Sequence, residues 1–231
     1  MNTQNAREGW AHGSALSEAT ATLHQTLETA RQAAHQVLQL PDSAAPGESP
    51  TLEAARASAQ RFLQHQAPRA TRAVADLLGF SNLWRTTTGR MRRLAATPTP
   101  EARRELTQGV RLLLRSARTR LEALSPLAGE LVGVLGRLEA LGHSRGERPG
   151  VLTSCLRALA TALADVVAAS QALHHAWETL VMALDAAAAR LDSTEVDASS
   201  WLAERLEGAD FGWNRAHATA QRLQTEAPPA V

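Results

Sequence analysis

One stretch limits the folds open to this chain more than any other. From Val151 to Leu191 a stripe recurs in alternating steps of four and three: Leu152, Leu156, Leu159, Leu163, Val166, Ser170, Leu173, Trp177, Leu180, Leu184, Ala187 and Leu191. Only Ser170 and Ala187 are weak members. A strand turns successive side chains to opposite faces and cannot use this period, whereas a helix lines them up on one side. At about 1.5 Å per residue such a helix is roughly 60 Å long. A single apolar stripe of that length must be covered by other helices. The expectation is an all-α, elongated antiparallel bundle of five to seven helices, one of them about 40 residues long, with left-handed coiled-coil packing.

The flanking segments carry the same period. Ser14 or Ser17 caps a first helix with Leu16, Leu23, Leu27, Ala30, Ala34 and Val37 inward, ending before Pro41. Residues 41–50 hold three prolines and a glycine and read as a loop. A second helix from Thr51 turns Leu52, Ala55, Ala59, Phe62 and Leu63 inward. Pro68 predicts a break or kink at Ala67. Gly79 predicts a stop after Val74, Leu77 and Leu78, and a shorter helix follows Ser81 with Leu83, Trp84, Met91 and Leu94.

The sharpest boundary is T-P-T-P-E at 97–101. There Thr99 caps, Pro100 suits the first helical position and Glu101 suits the dipole. That helix carries Leu106, Val110, Leu113, Ala117, Leu121 and Leu124. Ser125–Pro126 is expected to start a new segment or bend the old one, with glycines softening it as far as Gly142. A polar loop then spans 142–150. Ser193 or Thr194 caps a last helix with Leu202, Leu206, Ala209, Trp213, Ala216, Ala220 and Leu223. Gly208 and Gly212 are spaced as residues that let helices approach closely. The whole reads as one domain, 1–231, frayed at 1–13 and 225–231.

Composition narrows function mainly by exclusion. The net charge of +1 gives no global pull toward nucleic acid or membrane. Lysine, tyrosine and isoleucine are absent, as a GC-rich genome would produce. Cys155 is the sole cysteine, so no internal disulfide can form. The first fifteen residues lack the apolar run of a standard signal peptide. No uncharged apolar run reaches the length of an ordinary membrane span. The default expectation is a cytoplasmic protein, with export only by another route.

No catalytic motif is present, and the chain is read as non-enzymatic, without cofactor or small-molecule substrate. The eight histidines form no ligand set; Glu139 and His143 are close enough for one metal but stand alone. Charge, however, is segregated. Residues 84–120 hold ten arginines against Glu101 and Glu105, whereas residues 165–210 hold nine acids against Arg190 and Arg205. Arg104, Arg111, Arg115 and Arg118 share one helix face. They are expected either to pair with the acidic helices or to form a docking face for an anionic partner. No aromatic residues interleave with them, so nucleic acid is disfavoured.

Two tryptophan-centred runs, Q-A-L-H-H-A-W-E-T-L-V-M-A-L-D-A-A-A-A-R-L at 171–191 and A-D-F-G-W-N-R-A-H-A-T-A-Q-R-L at 209–223, resemble the C-terminal half of the α-helical pore-forming toxins. That group comprises cytolysin A, haemolysin BL and the xenorhabdolysins. The resemblance implies long-helix bundles with an apolar head hairpin that enters the membrane, at residues 126–164 here. It makes Leu127, Leu131, Val134, Leu138 and Leu141 a membrane- or partner-facing segment. It also implies action by self-association or by membrane or protein binding. The alternative is a soluble scaffold that uses its coiled-coil faces.

Overall fold

The computed structural model describes residues 12–41, 49–95, 99–144, 150–193 and 198–226. The described elements are helical: α1 His12–Leu38, α2 Ser49–Arg61, a five-residue π-turn Phe62–Gln66, α3 Ala67–Ala95, α4 Pro100–Ser144, α5 Val151–Asp192 and α6 Ala198–Glu226. No strand occurs among the described residues, and the fold is an all-α helical bundle. The stripe of α5 is buried along its length, from Leu152 at 7% exposure through fully buried Leu159, Leu163 and Leu184 to Leu191 at 2%. The expected 40-residue rod is present at 42 residues, and α4 exceeds it at 45.

The helices gather into two compact units. Of the described residues, the first comprises those up to Ala21, those from Val74 to Ala123 and those from Leu173 on. Its centre is aromatic. Trp84 of α3 stacks on Trp213 of α6, with ring centroids 4.3 Å apart and planes 16° from parallel. Phe80 meets Trp177 of α5 edge-on at 5.0 Å. Such ring pairs add roughly 0.5–1.5 kcal/mol beyond the area they bury. The two tryptophans that carry the toxin resemblance thus converge on one cluster, although 36 positions separate them in the chain. α1 joins α6 through a hydrogen bond from the Ser17 hydroxyl to Thr219 Oγ1 at 2.9 Å. Its Gly13 lies against the backbone of Gly212, where an added Cβ would stand 2.6 Å from the Gly212 carbonyl carbon. The second unit comprises Thr22–Ala73 and Leu124–Ala172.

Helix boundaries depart from expectation where a breaker residue meets a structural accommodation. The T-P-T-P-E cap forms as its sequence dictates: Thr99 Oγ1 accepts from the Ala102 N–H at 3.1 Å, and α4 starts at Pro100. Pro68, by contrast, does not break the chain. The π-turn just before it lets the Ala67 N–H reach back to the Phe62 carbonyl. The inward positions Ala59, Phe62, Gln66, Ala70 and Val74 take three consecutive steps of four, one residue more than the regular alternation. The wide turn absorbs that residue and keeps the apolar face inward.

Gly79 does not terminate α3 either. Its missing side chain leaves room for the Arg120 guanidinium, which would lie 3.2 Å from an added Cβ. Pro126 stays inside α4 because Glu122, Ser125 and Pro126 are all exposed, so water can satisfy the carbonyl that the proline leaves without a donor. Gly142 is followed by two more helical residues, since the ring Nδ1 of His143 reaches the Glu139 carbonyl at 2.7 Å. At the N-terminal end α1 begins at His12, ahead of both serines proposed as caps. α2 begins at Ser49, inside the expected loop, with Pro50 tolerated in its first turn. The Ser193 hydroxyl closes the end of α5 by donating to the Arg190 carbonyl. Thr194 and most of the expected frayed termini lie outside the described residues.

Two glycine substitutions are expected to have opposite signs. Gly13→Ala drives a methyl into the α6 backbone and should cost about 1–3 kcal/mol. Gly89→Ala meets nothing within 4 Å and should gain up to about 1 kcal/mol of helix propensity. Urea unfolding of both variants measures each effect.

Candidate functional site

The apolar hairpin segment of the second unit is the first candidate. α4 from Leu124 turns Leu127, Leu131, Val134 and Leu138 inward, all at 1% exposure or less, and leaves Leu141 half-buried. Leu156, Leu159, Leu163 and Val166 of α5 are buried in the same unit. The stripe expected to face a membrane or partner is therefore folded inward in this structure. Sequence periodicity marks a sticky face but cannot say whether the same molecule covers it. Arg69 of α3 pairs with Glu130 on the hairpin's half-buried flank. What remains outside is sparse: Val132 is 49% and Val151 70% exposed. Gly129, Gly136 and Gly142 stand in open space, so nothing in the packing requires a glycine there. A cleft of about 360 Å³ lies between the two helices, walled by Leu138, Leu156 and Ala160 and edged by Glu139, His143 and Arg157.

The composition of α5 needs one correction. No uncharged apolar run is long enough to span, but α5 contains an 18-residue window of mean hydropathy 1.6 with no more than two charged residues. Arg157 and Asp165 interrupt the run without spoiling its average. By length and composition this helix can cross a membrane, a criterion that the core helix of a soluble protein also meets. Only 39% of the window is buried within the structure.

The arginine-rich face is the second candidate, and it belongs to the first unit. Two of its four members already have acidic partners: Arg111 with Asp192 at 2.7 Å and Arg118 with Asp185 at 2.8 Å. Nearby, Arg90 bonds Glu105 at 2.6 Å, Arg92 pairs with Asp210, and Arg103 donates to the Leu191 carbonyl at 2.9 Å, closing the end of α5. Arg104 and Arg115 are exposed and make no ion pair with any described residue. These pairs staple α4 to α5 and α3, and α3 to α6, each worth at most about 1 kcal/mol at the surface.

Among the described residues no three histidine, cysteine or acidic side chains are placed to hold a metal. His143 bonds backbone rather than a ligand partner. Cys155 is a half-buried free thiol. Two interior groups have shifted proton affinities, and packing explains both. Burial lowers the Arg120 pKa, partly offset by Asp76, while the guanidinium sits 5.4 Å over the Phe80 ring and donates to the Asp76 carbonyl at 3.1 Å. Burial and then the charge of Arg85 lower His217, whose Nδ1 lies 3.2 Å from the Ser81 hydroxyl.

No protein-family model matches the chain, and no curated protein matches it. Among solved structures it is similar to the Bacillus cereus HblL1 toxin component. The likeness covers 91% of this chain and 96% of that one, with a TM-score of 0.76 at 9% sequence identity. At that identity the likeness is one of fold.

Substitutions should separate the two candidates in the resting protein. Leu131→Ala empties a fully buried position and is expected to cost about 2–5 kcal/mol. Arg118→Ala should cost no more than about 1 kcal/mol and Arg104→Ala nothing measurable. Denaturant titration compares them directly.

Proposed function

We propose that this chain is a non-enzymatic component of a helical membrane-acting toxin system, working by self-association and by binding membrane or protein partners. The observation that carries the reading is the extent of the fold likeness to a toxin component, nearly end to end in both chains. Supporting it, the 124–172 hairpin segment combines a long apolar helix with a glycine-softened partner. The inward stripe of Leu127, Leu131, Val134 and Leu138 is what a water-soluble form needs, since exposing it would invite aggregation. Membrane engagement then requires the hairpin to exchange those contacts for lipid. Under this reading the protein acts outside the cell that makes it.

Liposome leakage, measured with the chain alone and with proteins of similar fold encoded beside its gene, tests the proposal. Dye release in at least one combination is expected; no binding and no release in any combination would end it. Gly129→Ala with Gly136→Ala should raise stability by about 1–2 kcal/mol and slow release, because a stiffer hairpin gives up its resting contacts less readily. Release unchanged in that stabilised variant would exclude the segment as the part that rearranges.

A further inference from the structure

Two helix faces of the first unit are left unpartnered, and they are complementary. On α4, Arg104 and Arg115 are exposed without an ion pair among the described residues, and Leu112 beside them is 41% exposed. At 3.6 residues per turn the three fall within about 80° of one another around the helix. Along that line Glu101 lies about 5 Å before Arg104 and Glu122 about 10 Å beyond Arg115 at about 1.5 Å per residue, so the two arginines and Leu112 have no acid between them within the sector. On α6, Glu204 and Glu207 are exposed and make no ion pair among the described residues, and Phe211 is 79% exposed. These three fall within about 60°. Each face thus presents two charges of one sign beside one large apolar side chain, over a similar length of helix.

Both helices pack on α3. α3 touches α6 through Ser81, Trp84 and Arg92, and touches α4 through Asp76, Arg90 and Met91. Those two sets centre about 120° apart around α3 at about 100° per residue, with Met91 and Trp84 adjoining between them.

We infer that the Arg104–Leu112–Arg115 face of one copy docks on the Glu204–Glu207–Phe211 face of another copy of this chain. Like pairing is disfavoured: two α4 faces would oppose arginine to arginine, and two α6 faces glutamate to glutamate. Charge therefore selects α4 against α6, a head-to-tail contact, and repetition of such a contact gives a ring when the rotation closes and a filament when it does not. Arg111 and Arg118 do not compete for the partner's acids because Asp192 and Asp185 already hold them. Leu112 and Phe211 supply the apolar area that exposed ion pairs cannot replace. This deepens the self-association half of the proposed function and rests on that half alone.

The test is charge reversal with complementation. Arg104→Glu/Arg115→Glu makes both faces acidic, and Glu204→Arg/Glu207→Arg makes both basic. Association is read by sedimentation velocity over a concentration series at low and high salt, and by chemical cross-linking on liposomes. The wild type is expected to associate, less so at high salt. Each reversed variant should lose at least tenfold in association, and an equimolar mixture of the two should regain it. Phe211→Ala should weaken association with no change in its salt dependence. Reversed variants that associate like the wild type, a mixture that fails to recover, or a wild type that stays monomeric both in solution and on liposomes would overturn the inference. A wild type that assembles through these faces yet releases no dye would instead remove the membrane function and leave the interface standing.

Discussion

The fold depends on covering a continuous apolar stripe that runs the length of α5. A helix with one apolar side has no stable place in water until other helices take that side from solvent. Within the first unit α3, α4 and α6 do so, and aromatic residues of α3, α5 and α6 fill the centre. Within the second unit the end of α4 buries its own leucines together with those of α5. The surface ion pairs are secondary, since each is weak, but they favour one arrangement of helices whose apolar stripes alone would tolerate several.

Much of this was legible from residue spacing. The stripes named for α1, α5 and α6 are buried positions, as is that of α4 except for half-buried Leu121 and Leu141, and Thr99–Pro100–Glu101 marked the start of α4 as built. What was not legible were the ends that breaker residues seemed to impose. A glycine such as Gly79 reads as a terminator only while nothing is known of Arg120, 41 positions away. Pro68 reads as a break unless the three successive steps of four around it are counted, and that count was the available signal for the π-turn. Pro126 survives because its face of the helix is wet, which no local pattern states. The membrane-length window in α5 is hidden by Arg157 and Asp165, which interrupt the apolar run without lowering its average below a membrane span's.

For the candidate sites, spacing identified faces but not partners. Leu127, Leu131, Val134 and Leu138 were recognisable as sticky, and the structure turns them inward. The four arginines of α4 were recognisable as one face, and the structure divides them between two that are satisfied at home and two that are not. That division cannot come from spacing on α4, because it depends on where Asp185 and Asp192 stop along α5. The same holds for Gly212. Its pairing with Gly13 joins the two ends of the chain, whereas Gly208, which shares its spacing motif, meets nothing.

The central claim is that the hairpin segment is sheltered in water and transferred to lipid on activation. It can be tested by placing a polarity-sensitive fluorophore at Val151→Cys, in a Cys155→Ser background, with a second labelled protein carrying the probe at Gln108→Cys on exposed α4 of the first unit. Liposomes containing a quencher fixed in the acyl region are then added, with and without partner components. The expected result is a blue shift and strong lipid quenching at position 151, with position 108 still open to an aqueous quencher. Equal and unchanged aqueous exposure at both positions, under every combination, would contradict it.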